Sequence, residues 1–111
     1  MRPNIIFYFS DQQRWDTVNE TVTPNLMKLA ENGVNFTNSY TCQPVCGPAR
    51  ACLQTGLYAT QNQCYWNGIP LPQNIKPLAE YFNEAGYETA YVGKWHLASD
   101  RLPNVGLNRE K

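Results

Sequence analysis

The sequence predicts an α/β protein built on a mostly parallel sheet with flanking helices. Two nearly continuous runs of apolar, β-prone residues, 4–9 and 89–92, are typical of parallel strands that are covered on both faces. Segments with the periodicity and end signals of helices lie between these runs. Strands that alternate with helices favour a parallel sheet, because the crossover helices cover its faces.

Three segments carry helix signals. The first starts with a Thr-Pro pair and stops at Gly33, the second begins near Pro48 and ends at Gly56, and the third covers residues 74–86. In the first and third helices the apolar side chains recur at helical spacing, which predicts one inward face on each. The predicted inward residues are Leu26, Leu29, Ala30, Leu78, Ala79, Phe82 and Ala85.

The chain has 111 residues, which is enough for one domain or a part of one. Two or three parallel strands need neighbouring strands and covering helices, so we expect residues 1–111 to be the N-terminal portion of a larger domain. Residues 98–111 are polar and have no clear period, and we expect them to be poorly ordered. Exposed sheet edges would favour self-association of such a fragment.

Composition excludes several classes of partner. Nine basic and nine acidic residues cancel, so the chain lacks the basic surface that binds nucleic acid or anionic membranes. No apolar run approaches the roughly 20 residues of a membrane span. The N-terminal apolar run meets Asp11 without a small-residue cleavage site, which favours a strand over a signal peptide. We expect a cytoplasmic protein, or a periplasmic or secreted one if a leader has been removed.

Polar side chains follow both predicted strands. Asp11 and Gln12 leave the first strand, and Lys94 and His96 leave the later one on either side of Trp95. Sites in open α/β sheets form beyond the carboxyl ends of the strands, so these groups are predicted to meet at one rim. Lys94 and His96 should point the same way, because alternate residues of an extended segment share a face. Each residue alone has an ordinary explanation as a turn cap or a solvated side chain.

The stretch PVCGPARACLQTG places a thiol at the start of the second predicted helix. Cys46 lies at or just before the helix N-terminus, where backbone N–H groups favour anions, and Arg50 follows one turn later. Arg50 can then bind groups held at that terminus. A buried cap cysteine, with Arg50 paired to a surface carboxylate, explains the same spacing equally well. Four cysteines without a paired array, and a single histidine, do not fit a structural zinc site.

Three segments in order resemble the signatures of type I sulfatases. CGPARACLQTG resembles the Cys-x-Pro-x-Arg motif with its following Thr-Gly, and GYETAYVGKWH resembles the second signature, which ends in Gly-Lys-x-His. NIIFYFSDQQRWDT resembles the opening strand with its metal-binding acid. The resemblance implies an alkaline-phosphatase-like fold, of which this chain would be the N-terminal part.

The resemblance also implies roles for individual residues. Cys46 would be converted to formylglycine by a formylglycine-generating enzyme, and the hydrated aldehyde would attack a sulfate monoester substrate. Arg50 would hold the hydrate. Lys94 would contact the hydrate and the sulfate ester, and His96 would hydrogen-bond to the nucleophile.

A divalent cation belongs to the same implied site, held by Asp11, Gln12 and the modified Cys46. Calcium is the expected ion, with magnesium or manganese as alternatives, because Asp and Gln oxygens accept all three. Sulfatases commonly have a second Asp where this chain has Gln12. The Asp-Gln pair also resembles the phosphonate and phosphate ester hydrolases of the superfamily, which are the alternative to sulfate monoesters.

In members of this family, the remaining metal ligands and a second catalytic Lys and His lie much later in the sequence than these motifs. The 111 residues alone are therefore expected to be inactive. A non-catalytic binding or oligomerising domain that keeps the motifs is the remaining alternative. The substrate alcohol is not identified, and Tyr65, Trp66 and Asn67 lie in a loop that would either border the pocket or serve core packing.

Overall fold

The computed structural model of this chain describes residues 2–97, in two compact units that are treated separately, residues 2–39 and residues 40–97. No β-strand is formed within the described residues. Their helices, in chain order, are the 3-10 helix Trp15–Thr17, α1 (Pro24–Glu31), α2 (Cys46–Thr55), α3 (Ala59–Asn62) and α4 (Leu78–Glu84).

The predicted parallel sheet is therefore not shown. Residues 4–9 form no hydrogen-bonded ladder, and Ile6 is 92% exposed. Residues 89–92 form none either, and Val92 is 96% exposed. A parallel strand with apolar residues on both faces needs neighbouring strands and covering layers, and residues 2–97 provide neither. The two runs therefore keep a strand-like composition without forming strands.

The first unit is organised by the turn that precedes α1. The Asn19 side-chain oxygen accepts two backbone N–H groups of that turn, at 3.0 and 2.9 Å. Pro24 occupies the first turn of α1, as predicted, and the helix ends two residues before Gly33. The predicted inward face is only partly correct, because Leu26 and Ala30 are half-buried whereas Leu29 is 70% exposed.

The second unit contains the core, formed by Ala51 of α2 with Cys64, Leu71 and Leu97. Ile75 and Trp95 pack against this core as partly buried side chains. The Leu71 N–H donates to the Leu97 carbonyl at 3.1 Å, which closes the chain over the core. The predicted end of α2 is confirmed, because the glycine after Thr55 is left-handed, at φ 69°, and caps the helix.

Helix α4 is shorter than the predicted segment 74–86. It begins after Pro77, whose fixed φ suits a helix start, and Gly86 follows its end at φ 77°. The Phe82 and Tyr87 rings meet edge to face with centroids 5.3 Å apart. Phe82 is half-buried, whereas the other three predicted inward residues are exposed, so the inward face is only partly correct.

Among residues 2–97, no helix is long and apolar enough to cross a bilayer. The predicted poor order of residues 98–111 concerns a segment outside the described residues. Self-association and cellular location stay predictions.

Candidate functional site

Cys46 is the first residue of α2, which confirms its predicted place at the helix N-terminus. The preceding Val45 is extended, at φ −130° and ψ 135°, and its carbonyl accepts the Ala49 N–H at 2.9 Å. Cys46 is half-buried, so its thiol is neither enclosed in the core nor fully open to water.

The side-chain oxygen of Asn67 lies directly against this helix start. It accepts the backbone N–H of Gly47 at 2.9 Å and the thiol of Cys46 at 3.4 Å. The backbone N–H groups at this helix start were predicted to favour an anion. Pro48 has no N–H, and Asn67 occupies the N–H of Gly47. The start of α2 is therefore organised around a protein amide oxygen.

Buried polar contacts hold the segment that carries Asn67. Asn62 is fully buried, where its amide donates to the Leu57 carbonyl at 3.2 Å and its oxygen accepts the Cys64 N–H at 2.9 Å. The Cys64 thiol then donates to the Ile69 carbonyl at 3.1 Å. These bonds satisfy groups that would otherwise be costly to bury, and they tie residues 57–69 to one another.

Arg50 joins α2 to the second motif. It is 5% exposed, and its guanidinium donates to the Lys94 carbonyl at 2.5 Å. The Tyr91 hydroxyl donates to the same carbonyl at 2.6 Å and lies 3.5 Å from Arg50 Nη1. Arg50 therefore binds the backbone of the Gly-Lys-x-His segment, one turn after Cys46.

His96 also reaches the start of α2. A Cβ added to Gly47 would lie 3.6 Å from the His96 carbonyl oxygen, so the two backbones are close. His96 is left-handed, at φ 60°, and its Nδ1 is buried without a hydrogen-bond partner within residues 2–97. The prediction that Lys94 and His96 share one face of an extended strand is therefore wrong. Gly93, at φ 115°, and His96 interrupt the extended backbone.

Two of the other thiols are held in the protonated form. Burial raises the pKa of the Cys52 thiol from its usual 9.0 to about 11, and its interaction with the Cys42 thiol adds to the rise. Burial also raises the pKa of the Cys64 thiol. All four cysteines are free, and Cys42 is exposed. Cys52 and Cys64 are therefore structural thiols.

Asp11 and Gln12 lie in the first unit, so their predicted meeting with Cys46 stays a prediction. Both are exposed, and Gln12 is left-handed at φ 56°. A carboxylate and an amide oxygen are the donors that a hard divalent cation prefers, so these residues fit the implied metal chemically. Residues 2–97 contain no group of three or more His, Cys, Asp or Glu side chains that could hold a metal ion.

The second unit thus brings together four of the predicted positions: Cys46, Arg50, the backbone of Lys94, and His96. Two further residues take part: sequence reasoning placed Asn67 only in a loop that would either border the pocket or serve core packing, and it gave no role to Tyr91. The Asn67-Gly68 pair is a local signal for a tight turn, which the structure forms. No local pattern predicts that this turn would meet a glycine 20 residues earlier.

Comparison with known proteins agrees with these motifs. A family model with the description Sulfatase matches residues 3–105. The chain is similar to the uncharacterized sulfatase YidJ of Escherichia coli (strain K12), with 44% identity over 101 residues, 86% of this chain and 20% of that protein. It is 41% identical over 105 residues to an ulvan-active sulfatase of Formosa agariphila, covering 90% of this chain and 20% of that protein.

A third similar protein is the N-acetylglucosamine-6-O-sulfatase of Bacteroides thetaiotaomicron, 35% identical over 104 residues, which are 89% of this chain and 19% of that protein. The chain spans about a fifth of the length of these curated relatives. No solved structure matches it.

Proposed function

This chain belongs to the sulfatase family, and we propose that it is the N-terminal portion of a catalytic domain that hydrolyses sulfate monoesters with a formylglycine nucleophile derived from Cys46. The observation that carries the proposal is the bond from buried Arg50 to the Lys94 carbonyl, at 2.5 Å. It joins the Cys-x-Pro-x-Arg motif to the Gly-Lys-x-His motif, as a shared site requires. A sulfate ester and a formylglycine-generating enzyme are the implied partners.

In the proposed reaction, one hydroxyl of the residue 46 hydrate attacks sulfur and expels the alcohol. Loss of the proton from the other hydroxyl then ejects sulfate and restores the aldehyde. Arg50 holds the hydrate, and the Lys94 ammonium contacts both the hydrate and the ester. His96 hydrogen-bonds to the nucleophile. Its buried Nδ1 supports that role, because a ring nitrogen without a partner in residues 2–97 is stabilised by a new hydrogen bond.

Asp11, Gln12 and residue 46 would hold the divalent cation, with calcium as the first choice and magnesium or manganese as alternatives. When bound, such an ion polarises the sulfate oxygens and helps the attacking hydroxyl to ionise. Residues elsewhere in the whole protein would supply the remaining ligands. The 111-residue chain alone is therefore proposed to be inactive, and turnover by the purified chain would contradict this.

The test is the mass of the tryptic peptide spanning residues 29–50, from whole protein co-expressed with a formylglycine-generating enzyme. Conversion of Cys46 lowers this mass by roughly 18 Da, because the thiol sulfur is replaced by an aldehyde oxygen and two hydrogens are lost. Fragmentation should place the change on Cys46 and not on exposed Cys42, which is the internal control. Cys46→Ala should abolish aryl sulfate hydrolysis, and Cys42→Ala should retain it. An unmodified Cys46 in an active protein would overturn the proposal.

A phosphonate or phosphate ester hydrolase is the second candidate, and Gln12 is the residue that favours it. An amide brings one negative charge less to the metal than the second Asp of most sulfatases, which changes the charge balance around the substrate anion. Comparing kcat/KM for matched aryl sulfate and aryl phosphonate esters separates the two activities. We expect the sulfate ester to be preferred, and a higher kcat/KM for the phosphonate would favour the second candidate.

A further inference from the structure

We propose that Asn67 is a positioning residue for the side chain of residue 46, and that it can act as one only because residue 47 is glycine. The catalytic consequence rests on the proposed function, whereas the geometry does not. Asn67 touches the start of α2 through one atom, its side-chain oxygen, which meets both the backbone and the thiol.

The two contacts together restrict the thiol. An amide oxygen has two lone pairs, and here one accepts the Gly47 N–H at 2.9 Å while the other accepts the Cys46 thiol at 3.4 Å. The first bond fixes the oxygen relative to the helix, because the backbone donor cannot rotate. The second bond then selects one orientation of the Cys46 side chain, since the acceptor it needs has a fixed position.

A glycine is required at position 47 because a Cβ has no room there, and not because of its backbone angles. Gly47 lies in α2 and does not have the positive φ found at Gly56, Gly68, Gly86 and Gly93. An L-residue could therefore adopt its backbone angles. A Cβ at this position, however, would lie 2.8 Å from the Asn67 oxygen. Real Cβ atoms do not approach an oxygen so closely, so any side chain at position 47 displaces the Asn67 amide.

Asn67 is an exposed residue, and hydrogen bonds hold the backbone segment that carries it. It lies in a turn in which the Ile69 N–H donates to the Trp66 carbonyl at 3.3 Å and Gly68 is left-handed at φ 82°. Buried Cys64 binds the end of this turn through the Ile69 carbonyl. A site residue whose support is itself packed and hydrogen-bonded keeps its geometry during reaction.

In the modified protein, a hydroxyl of the hydrate takes the place of the thiol and donates to the same oxygen. The hydrate then presents its other hydroxyl in one direction, which aligns it for attack on sulfur. Loss of this alignment should lower kcat by about 10- to 100-fold, because a misplaced nucleophile reacts much more slowly. KM should be nearly unchanged, because substrate binding in the ground state is retained.

The first experiment follows alkylation of Cys46 by iodoacetamide in unmodified protein, read on the peptide spanning residues 29–50 with Cys42 as the internal reference. Asn67→Ala removes the acceptor and should raise the rate of Cys46 alkylation by about 2- to 10-fold. This factor corresponds to the free energy of one lost hydrogen bond. Asn67→Asp should lower the rate, because a carboxylate disfavours the thiolate. Gly47→Ala should act like Asn67→Ala, and the double variant should show no further increase. Asn74→Ala, an exposed asparagine of the same unit, is the matched control.

The second experiment measures kcat and KM for an aryl sulfate with the modified whole protein. Asn67→Ala should reduce kcat with little change in KM, and Asn74→Ala should change neither. Equal Cys46 alkylation rates in wild type and Asn67→Ala would overturn the inference whether or not the protein is a sulfatase. Should Asn67→Ala or Gly47→Ala unfold, which alkylation of buried Cys64 reports, the Asn67→Asp rate decides in its place. Absence of sulfate ester hydrolysis by wild type, with the alkylation pattern as expected, overturns the proposed function and leaves the positioning role.

Discussion

The two units of the chain differ in what they bury. Both contain a strand-like apolar run and a helix, but no described residue of the first unit is buried, whereas the second unit encloses Ala51, Cys64, Leu71 and Leu97. The second unit also buries polar side chains that bind backbone groups, notably Arg50 and Asn62. A parallel sheet depends on distant segments, whereas these side-chain-to-backbone bonds are made within residues 40–97. This difference explains why the predicted catalytic residues come together in the second unit without a sheet.

The largest expected effect tests the contrast in burial. Leu97→Ala should reduce the free energy of unfolding by about 2–5 kcal/mol, because Leu97 is 2% exposed and its loss leaves a cavity in the core. Leu29→Ala, at a position 70% exposed in the first unit, is the matched control and should change stability by less than about 0.5 kcal/mol. Urea denaturation measures both. Equal losses would mean that the first unit buries its helix face in the whole protein.

The next effect tests the polar anchors. Arg50→Ala should cost about 1–3 kcal/mol of stability, since it removes a buried donor from the Lys94 carbonyl. Arg14 of the first unit forms an exposed ion pair with Asp16, and Arg14→Ala should cost less than about 1 kcal/mol. Urea denaturation of the two variants gives the comparison. A larger loss at Arg14 than at Arg50 would contradict the view that buried side-chain-to-backbone bonds organise the second unit.

The smallest expected effect concerns alkaline pH. The folded protein keeps the Cys52 proton up to a pKa of about 11, whereas an unfolded thiol loses it near 9.0. The folded state therefore binds more protons at Cys52 between these values, so the contribution of Cys52 to stability should be fully present below pH 9.0 and be lost as the pH rises toward 11. Thermal unfolding of wild type and Cys52→Ala across this range measures the effect. The variant should lose less stability over the same interval, and identical pH profiles would assign the loss to other groups.

The helices were predictable where their signals are local. Pro24 and Gly56 act through their own backbone angles, so the start of α1 and the end of α2 follow directly from those residue types. The position of Cys46 at the start of α2 followed for the same reason. The inward faces of α1 and α4 were less predictable, because periodicity identifies an apolar face without providing the surface that covers it.

The site was only partly predictable. Motif order identified Cys46, Arg50 and His96, but the bond from Arg50 to a backbone carbonyl 44 residues away has no signature in the sequence. The left-handed His96 overrode the expected alternation, since one such residue redirects the chain. Asn67 was placed only in a loop, because its contact with Gly47 depends on packing that a single sequence does not encode locally.

The Lys94 carbonyl, which accepts both Arg50 and Tyr91, has a consequence for how this site can diversify. Both side chains donate hydrogen bonds to the main chain. This attachment of the loop to α2 therefore does not depend on which side chain residue 94 carries. Chemistry at that position can therefore change by mutation while the loop stays attached to α2.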